Sequence, residues 1–126
     1  MPKTVPHGPG LEPGRLPFSK VVEANGFVFI AGQIGDAPGS NGPVPGGIEP
    51  ETRAMLDNVG RLLGAVGLGF ADVVKCTVYI TDFDEFAAMN AIYHESFPID
   101  PPVRATVGVS RLALGARIEI EVLATR

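Results

Sequence analysis

Two short segments near the C-terminal end carry the residues best suited to chemistry. Val103-Arg104-Ala105-Thr106-Val107 and Arg117-Ile118-Glu119-Ile120-Glu121-Val122 both alternate with period two, the pattern of strands. In the first, Val103, Ala105, Val107 and Val109 share one face, and Arg104, Thr106 and Gly108 share the other. In the second, Ile118, Ile120, Val122 and Ala124 alternate with Arg117, Glu119 and Glu121. A guanidinium fork suits bidentate binding of a carboxylate. A carboxylate can serve as a general base or orient a water. Pro101 and Pro102 stiffen the chain just before Arg104. Groups mounted on strands are held more firmly than groups on loops. The same residues admit a structural reading, in which Arg104 pairs across strands with Glu119 or Glu121 and the carboxylates line a solvated face.

Other candidates are single residues. Asn90 interrupts an apolar helical stripe, and a buried amide must find partners; it either ties the helix to a loop or lines a pocket. Phe18, after Pro17, reads as core or interface packing. Ala31-Gly32-Gln33 ends a strand, where Gly32 admits a close ligand or backbone, or marks a bulge. His7 and His94 are isolated, and no His-x-x-x-His or Cys-x-x-Cys spacing occurs, so no metal site is expected. Cys76 lies among apolar strand residues and reads as an inert core thiol. No Gly-x-Ser-x-Gly elbow is present, and Gly67-Leu68-Gly69 closes a helix rather than opening one.

The elements that must position these residues follow from patterning. Lys20 to Ala24 and Phe27 to Ala31 read as strands joined at Asn25-Gly26, a two-residue hairpin signal. Residues 34–47 are too rich in Gly and Pro for helix. A helix follows with Pro50 at its first position, Glu49 and Glu51 at its positive end, and a stripe of Met55, Val59, Leu62 and Val66 widened by Leu56 and Leu63. Gly67 is its predicted C′ residue. Asp72 to Thr81 reads as a strand with Val74, Cys76, Val78 and Ile80 on one face. A second helix, capped by Thr81 or Asp82, carries Phe83, Phe86, Asn90, Tyr93 and Phe97. The predicted order is β-β-α-β-α-β-β, with a possible short strand at Thr4-Val5. One sheet with both helices on one face is the simplest arrangement. The helix-side face is predicted as Val74, Cys76, Val78, Ile80, Ile118, Ile120 and Val122. Lys75, Tyr79, Arg104, Thr106 and Glu119 are assigned to the opposite face, which mixes apolar and charged groups and needs a partner or water; a homo-oligomer is the inferred cover.

The bulk numbers set bounds. A chain of 126 residues with 45% hydrophobic content is predicted to form a single domain over residues 1–126. Its net charge of −4, without a basic run, disfavours nucleic acid as a partner. The single cysteine permits no internal disulfide and fits a reducing, cytoplasmic setting. Met1 to Pro13 lacks the apolar run of a secretory signal, and no stretch of about 18 apolar residues suggests a membrane span.

Several stretches together resemble the RidA/YjgF family of reactive-intermediate deaminases, also labelled the endoribonuclease L-PSP family. They are Pro17-Phe18-Ser19, Phe29 to Ile34, Glu51-Thr52-Arg53 with Leu56-Asp57-Asn58, Val73 to Tyr79, Phe86 to Asn90, Pro102 to Val107, and Ile118 to Glu121. The resemblance implies a chorismate-mutase-like α+β fold and a homotrimer whose sheets form a central barrel, with sites in clefts between subunits. It implies hydrolysis of enamines and imines such as 2-aminoacrylate and 2-iminobutanoate to 2-keto acids and ammonia, without a cofactor. Arg104 would clamp the substrate carboxylate and Glu119 would polarise water. Phe18, Ala31, Gly32, Asn90 and Thr106 would line the cleft. Phe18 stands where tyrosine is usual and Ala31 where serine is common, so two hydroxyls are missing. Thr106 replaces a residue that is often cysteine or serine. Two further readings share the cleft or the family label: a metabolite-binding regulator without turnover, and an endoribonuclease or translation inhibitor. The first lacks an explanation for Arg104 together with Glu119, and the second lacks a basic surface.

Overall fold

The computed structural model describes residues 2–126. Strands β1 (Val21–Ala24) and β2 (Phe27–Ile34) form the predicted hairpin. Asn25 and Gly26 both take positive φ, 53° and 80°, as a two-residue turn matched to strand twist requires. Helix α1 (Ile48–Ala65) comes next, then β3 (Val73–Ile80), α2 (Phe86–Ser96), β4 (Val103–Gly108) and β5 (Ile118–Thr125). The predicted order of long elements holds. Thr4 contributes an isolated antiparallel bridge to Glu23 rather than a strand.

The five strands form one mixed sheet in the order β1-β2-β5-β3-β4. Only β3 and β4 are parallel, and α2 supplies the crossover that a parallel pair needs. Both helices pack on one face, above a core that includes Val28, Ile30, Met55, Val59, Leu63, Cys76, Val78, Ile80, Met89, Ile118 and Ile120. All six apolar residues predicted for the α1 stripe are buried. Helix α1 starts two residues before Pro50, which sits in the first turn where its missing N–H has no intrahelical partner to lose. It closes with Gly67 N–H on Gly64 O and Leu68 N–H on Leu63 O, the paired bonds of a Schellman end.

Three expectations are corrected. Val74 does not face the helices: a bulge between Val73 and Lys75 buries Val73 in its place and exposes Val74. Helix α2 begins at Phe86, because Asp82 accepts from Asp84 N–H and caps a short 3-10 turn ahead of it. Phe83 therefore leaves the helical stripe and stacks on Phe86 with ring centroids 5.4 Å apart. Finally, Arg104 and Thr106 do not share a face with Glu119. The β3–β4 register places Arg104 beside Cys76 and Thr106 beside Val78, both on the helix side. The uncovered face of β4 is apolar instead, with Val103 69% exposed.

One buried carboxylate escaped the sequence reading. Glu51, only 2% exposed, accepts the Arg117 backbone N–H at 2.6 Å and fastens α1 to the start of β5. Burial pushes its carboxyl above the ordinary range, against the opposing pull of the Arg117 and Ile118 amides. A carboxyl raised in this way binds its proton more readily folded than unfolded. It therefore favours the folded state at low pH, and that contribution is lost as pH rises through the raised value. Glu51→Ala should cost about 1–3 kcal/mol by orphaning the Arg117 N–H. Glu51→Gln, which keeps an acceptor, should cost less and flatten the pH dependence. Denaturant titrations at several pH values measure both.

Candidate functional site

The residues singled out for chemistry fall into two groups on different parts of the sheet. Arg104, Thr106 and Asn90 lie where the edge strand β4 meets α2. Glu119, Gly32 and Ala31 lie where β5 meets β2. Phe18 sits exposed on the arm that leads into β1.

At the first group, register fixes Arg104 on the helix side of β4, and α2 supplies its neighbours. The guanidinium carbon stands 4.6 Å from the Tyr93 ring centroid and 5.7 Å from that of Phe86. Phe86, Asn90 and Tyr93 recur at i, i+4 and i+7, so Asn90 lies between the two rings on the same helix face. The Phe83 ring lies against Gly108 farther along the strand. Among the described residues, no carboxylate lies within 4 Å of the Arg104 guanidinium, whereas Arg53, Arg117 and Arg126 are all paired. The cross-strand pairing of Arg104 with Glu119 or Glu121 does not occur. Glu121 instead accepts from the Tyr79 hydroxyl at 2.8 Å on the opposite face. Asn90 Oδ1 and the Tyr93 hydroxyl are buried without a well-formed hydrogen bond. Burial pushes the Tyr93 phenol well up, with the Cys76 thiol beside it adding to the shift. The Cys76 thiol is itself raised by burial, as an inert core thiol should be.

At the second group, the β2–β5 register slips between Ile30 and Gln33, so that Ala31 and Gly32 bulge from the ladder. The bulge expected at Gly32 is present, and what approaches the glycine closely is a side chain, that of Glu119. A Cβ on Gly32 would overlap Glu119 Oε2. The glycine thus leaves room for the Glu119 carboxylate to lie over the β2 backbone. Glu119 is half-buried and pairs by register with Tyr79 and Ile34 on the uncovered face. Burial pushes its carboxyl above the ordinary range, and the like charge of Glu121 adds to the effect.

Two clefts flank these groups. One of about 460 Å³ is lined by Phe18, Lys20, Gln33, Asn58 and Arg61 among others. Asn58 braces its floor by donating to Ile34 O and to Asp36. Another of about 280 Å³ on the uncovered face is lined by Phe29, Lys75, Thr77, Glu121 and Leu123 among others. Neither contains Arg104 or Glu119. No group of three or more His, Cys, Asp or Glu among the described residues has the arrangement of a metal site. No helix among them is long and apolar enough to cross a membrane. Phe86 and Tyr93 carry no functional expectation of their own in the sequence; their spacing about Asn90 on α2 is the signal that puts them on one helix face with it.

Comparison with known proteins converges on one family. Residues 12–126 match the family model described as endoribonuclease L-PSP. The human 2-iminobutanoate/2-iminopropanoate deaminase is 41% identical over 113 residues, covering 89% of this chain and 82% of that one. A structure of a Rid family protein from Yersinia pestis superposes with a TM-score of 0.91 at 33% identity, covering 99% of this chain and all of that one. Escherichia coli TdcF with bound serine superposes with a TM-score of 0.83 at 33% identity, covering 94% and 96%.

The contact between Gly32 and Glu119 has a measurable consequence. In Gly32→Ala the new methyl should push the Glu119 side chain toward solvent, because the end of a side chain yields before backbone does. The Glu119 titration, followed by carboxyl NMR, should move down toward its ordinary value. Stability should change by no more than about 1 kcal/mol, the usual scale for such a replacement at a compatible backbone position.

Proposed function

Because the chain belongs to the endoribonuclease L-PSP family, the RidA/YjgF proteins, we propose that it hydrolyses small 2-imino acids to 2-keto acids and ammonia. The observation that carries this reading is the unpaired Arg104 guanidinium on an edge strand. A half-buried arginine without a carboxylate of its own is ready to take one from a ligand. The human relative is named for this reaction, and a bacterial relative holds serine, a small molecule bearing a carboxylate.

In this scheme Arg104 binds the carboxylate of the imine and fixes its pose. Glu119 accepts a hydrogen bond from water and draws off its proton as the oxygen adds to the C=N carbon. That proton passes to the imine nitrogen to give the carbinolamine. The carbinolamine hydroxyl then gives up its own proton, by way of Glu119, to the nitrogen as the C=O forms, the C–N bond breaks and ammonia leaves. Enamines enter after tautomerising to the imine. Asn90 and Thr106 line the Arg104 side, and Phe18, Ala31 and Gly32 line the Glu119 side. Phenylalanine and alanine at positions 18 and 31 make that wall less polar than hydroxyl-bearing residues would.

Arg104 and Glu119 lie on opposite faces of the sheet, on strands separated by β3. We propose that two copies complete the site, within a homotrimer whose uncovered sheet faces pack together. Exposed apolar side chains on both flanks of that face, Phe27 and Phe29 on β2 and Val103 and Val107 on β4, support this, since such side chains are favoured under a cover.

The test is ammonia and keto-acid release when the protein is added to a threonine dehydratase reaction. Arg104→Ala should lower turnover by roughly 30-fold or more, given about 2–5 kcal/mol for a lost charged contact at a desolvated site. Arg104→Lys should recover only part of it, lacking the fork. Equal mixing of Arg104→Ala and Glu119→Gln subunits, refolded together, should restore about one quarter of the wild-type sites if each site spans two copies. No recovery would place both groups of one site in a single chain. Because Glu119 must be ionised to accept a proton, activity should rise with pH along a limb above the ordinary carboxyl value. That limb should move to lower pH in Glu121→Gln, which removes the like charge.

A further inference from the structure

Arg104 differs from the paired arginines in what holds it. It rests against two aromatic rings rather than a carboxylate. Each ring is itself anchored. Tyr93 packs on Phe97 at 4.7 Å, and Phe97 meets Phe70 edge-on at 5.3 Å. Phe86 is backed by the stacked ring of Phe83. A chain of rings thus runs from the core to the guanidinium.

The chemistry of this arrangement is specific. A guanidinium is planar and weakly hydrated, and it is attracted to the face of an aromatic ring without spending its in-plane N–H donors. A carboxylate partner from the protein would hold Arg104 equally well but would occupy the fork that a ligand needs. We infer that Phe86 and Tyr93 are positioning residues, which fix the Arg104 fork for an incoming carboxylate while leaving its hydrogen-bond donors free. For Tyr93 the ring, and not the hydroxyl, does this, since the guanidinium stands over the ring while the hydroxyl lies beside the Cys76 thiol. The inference rests on the proposed reaction only for its effect on substrate; the ring contact itself can be observed without turnover.

Two measurements test it. The first is the proton shift of Arg104 Nε–H in protein labelled with ¹⁵N-arginine, assigned by the signal lost in Arg104→Lys. Ring currents should move it upfield in wild type and in Tyr93→Phe. Tyr93→Leu should return it most of the way to the position of an exposed arginine, and Phe86→Leu part of the way. The second is KM for the imine. Tyr93→Phe should match wild type, and Tyr93→Leu should raise KM roughly fivefold or more. A merely structural role for Tyr93 would reduce the amount of active protein and leave KM unchanged. KM does not depend on how much of the variant folds, so partial misfolding does not hide the answer. An unshifted wild-type Nε–H, or an unchanged KM in Tyr93→Leu where Arg104→Ala is inactive, overturns the inference. If wild type hydrolyses no imine, the proposed reaction falls and the NMR shifts alone decide the role of the rings.

Discussion

The parallel pairing of β4 with β3 is the constraint on which the rest of the site depends. Parallel neighbours cannot be joined by a tight turn, so the chain must cross the sheet, and α2 is that crossing. The register that results sets Arg104 beside Cys76 on the helix side. It also lays the Phe86–Asn90–Tyr93 face of α2 against that side. One topological requirement therefore delivers both the cation and the rings that hold it. Had β4 paired one residue out of register, every side chain on it would have changed face. The guanidinium would then have faced the opposite side, with Glu119.

The division of polar groups between faces follows from the same geometry. A lone sheet with helices on one side ordinarily keeps its apolar residues under the helices and its polar residues in water. Strand β4 reverses this: Val103 and Val107 look outward and Arg104 looks toward α2. At an edge strand the helix layer gives only partial cover, so a charged group can lie under it and still reach solvent. The apolar outer face then makes sense as a surface for another copy, as proposed. Glu119 sits two strands away under different control. Its position depends on the bulge at Ala31–Gly32 and on the absence of a side chain at Gly32.

Both candidate groups are braced from behind by contacts that have no chemical role of their own. Glu51 ties the start of β5 to α1 through the Arg117 amide, two residues before Glu119. Asn58 holds the segment after β2 by donating to Ile34 O and Asp36. These are polar side chains of α1 that reach loops and strand ends while the apolar stripe of the same helix fills the core. Cys76 and Tyr93 brace the other side, where both groups are raised by burial and remain neutral at neutral pH.

What the sequence determined by itself was local and periodic. Alternation in 118–124 and helical spacing in 55–66 identify strand and helix without reference to the rest of the chain, because each pattern reflects the geometry of its own backbone. Asn25-Gly26 and Gly67 mark a turn and a helix end for equally local reasons. The family resemblance picked out Arg104 and Glu119 as the residues to watch. What only the tertiary structure decided was which side of the sheet each strand turns toward its neighbours. Alternation separates Arg104 from Val103, but it does not say which of them faces the helices. That choice is made by the β3–β4 register, and register is a relation between segments almost thirty positions apart. The bulges at Val74 and Gly32 are of the same kind. An extra residue is visible only against the partner strand that fails to match it, and so the meeting of Glu119 with Gly32, and of Arg104 with Tyr93, could not be read from either segment alone.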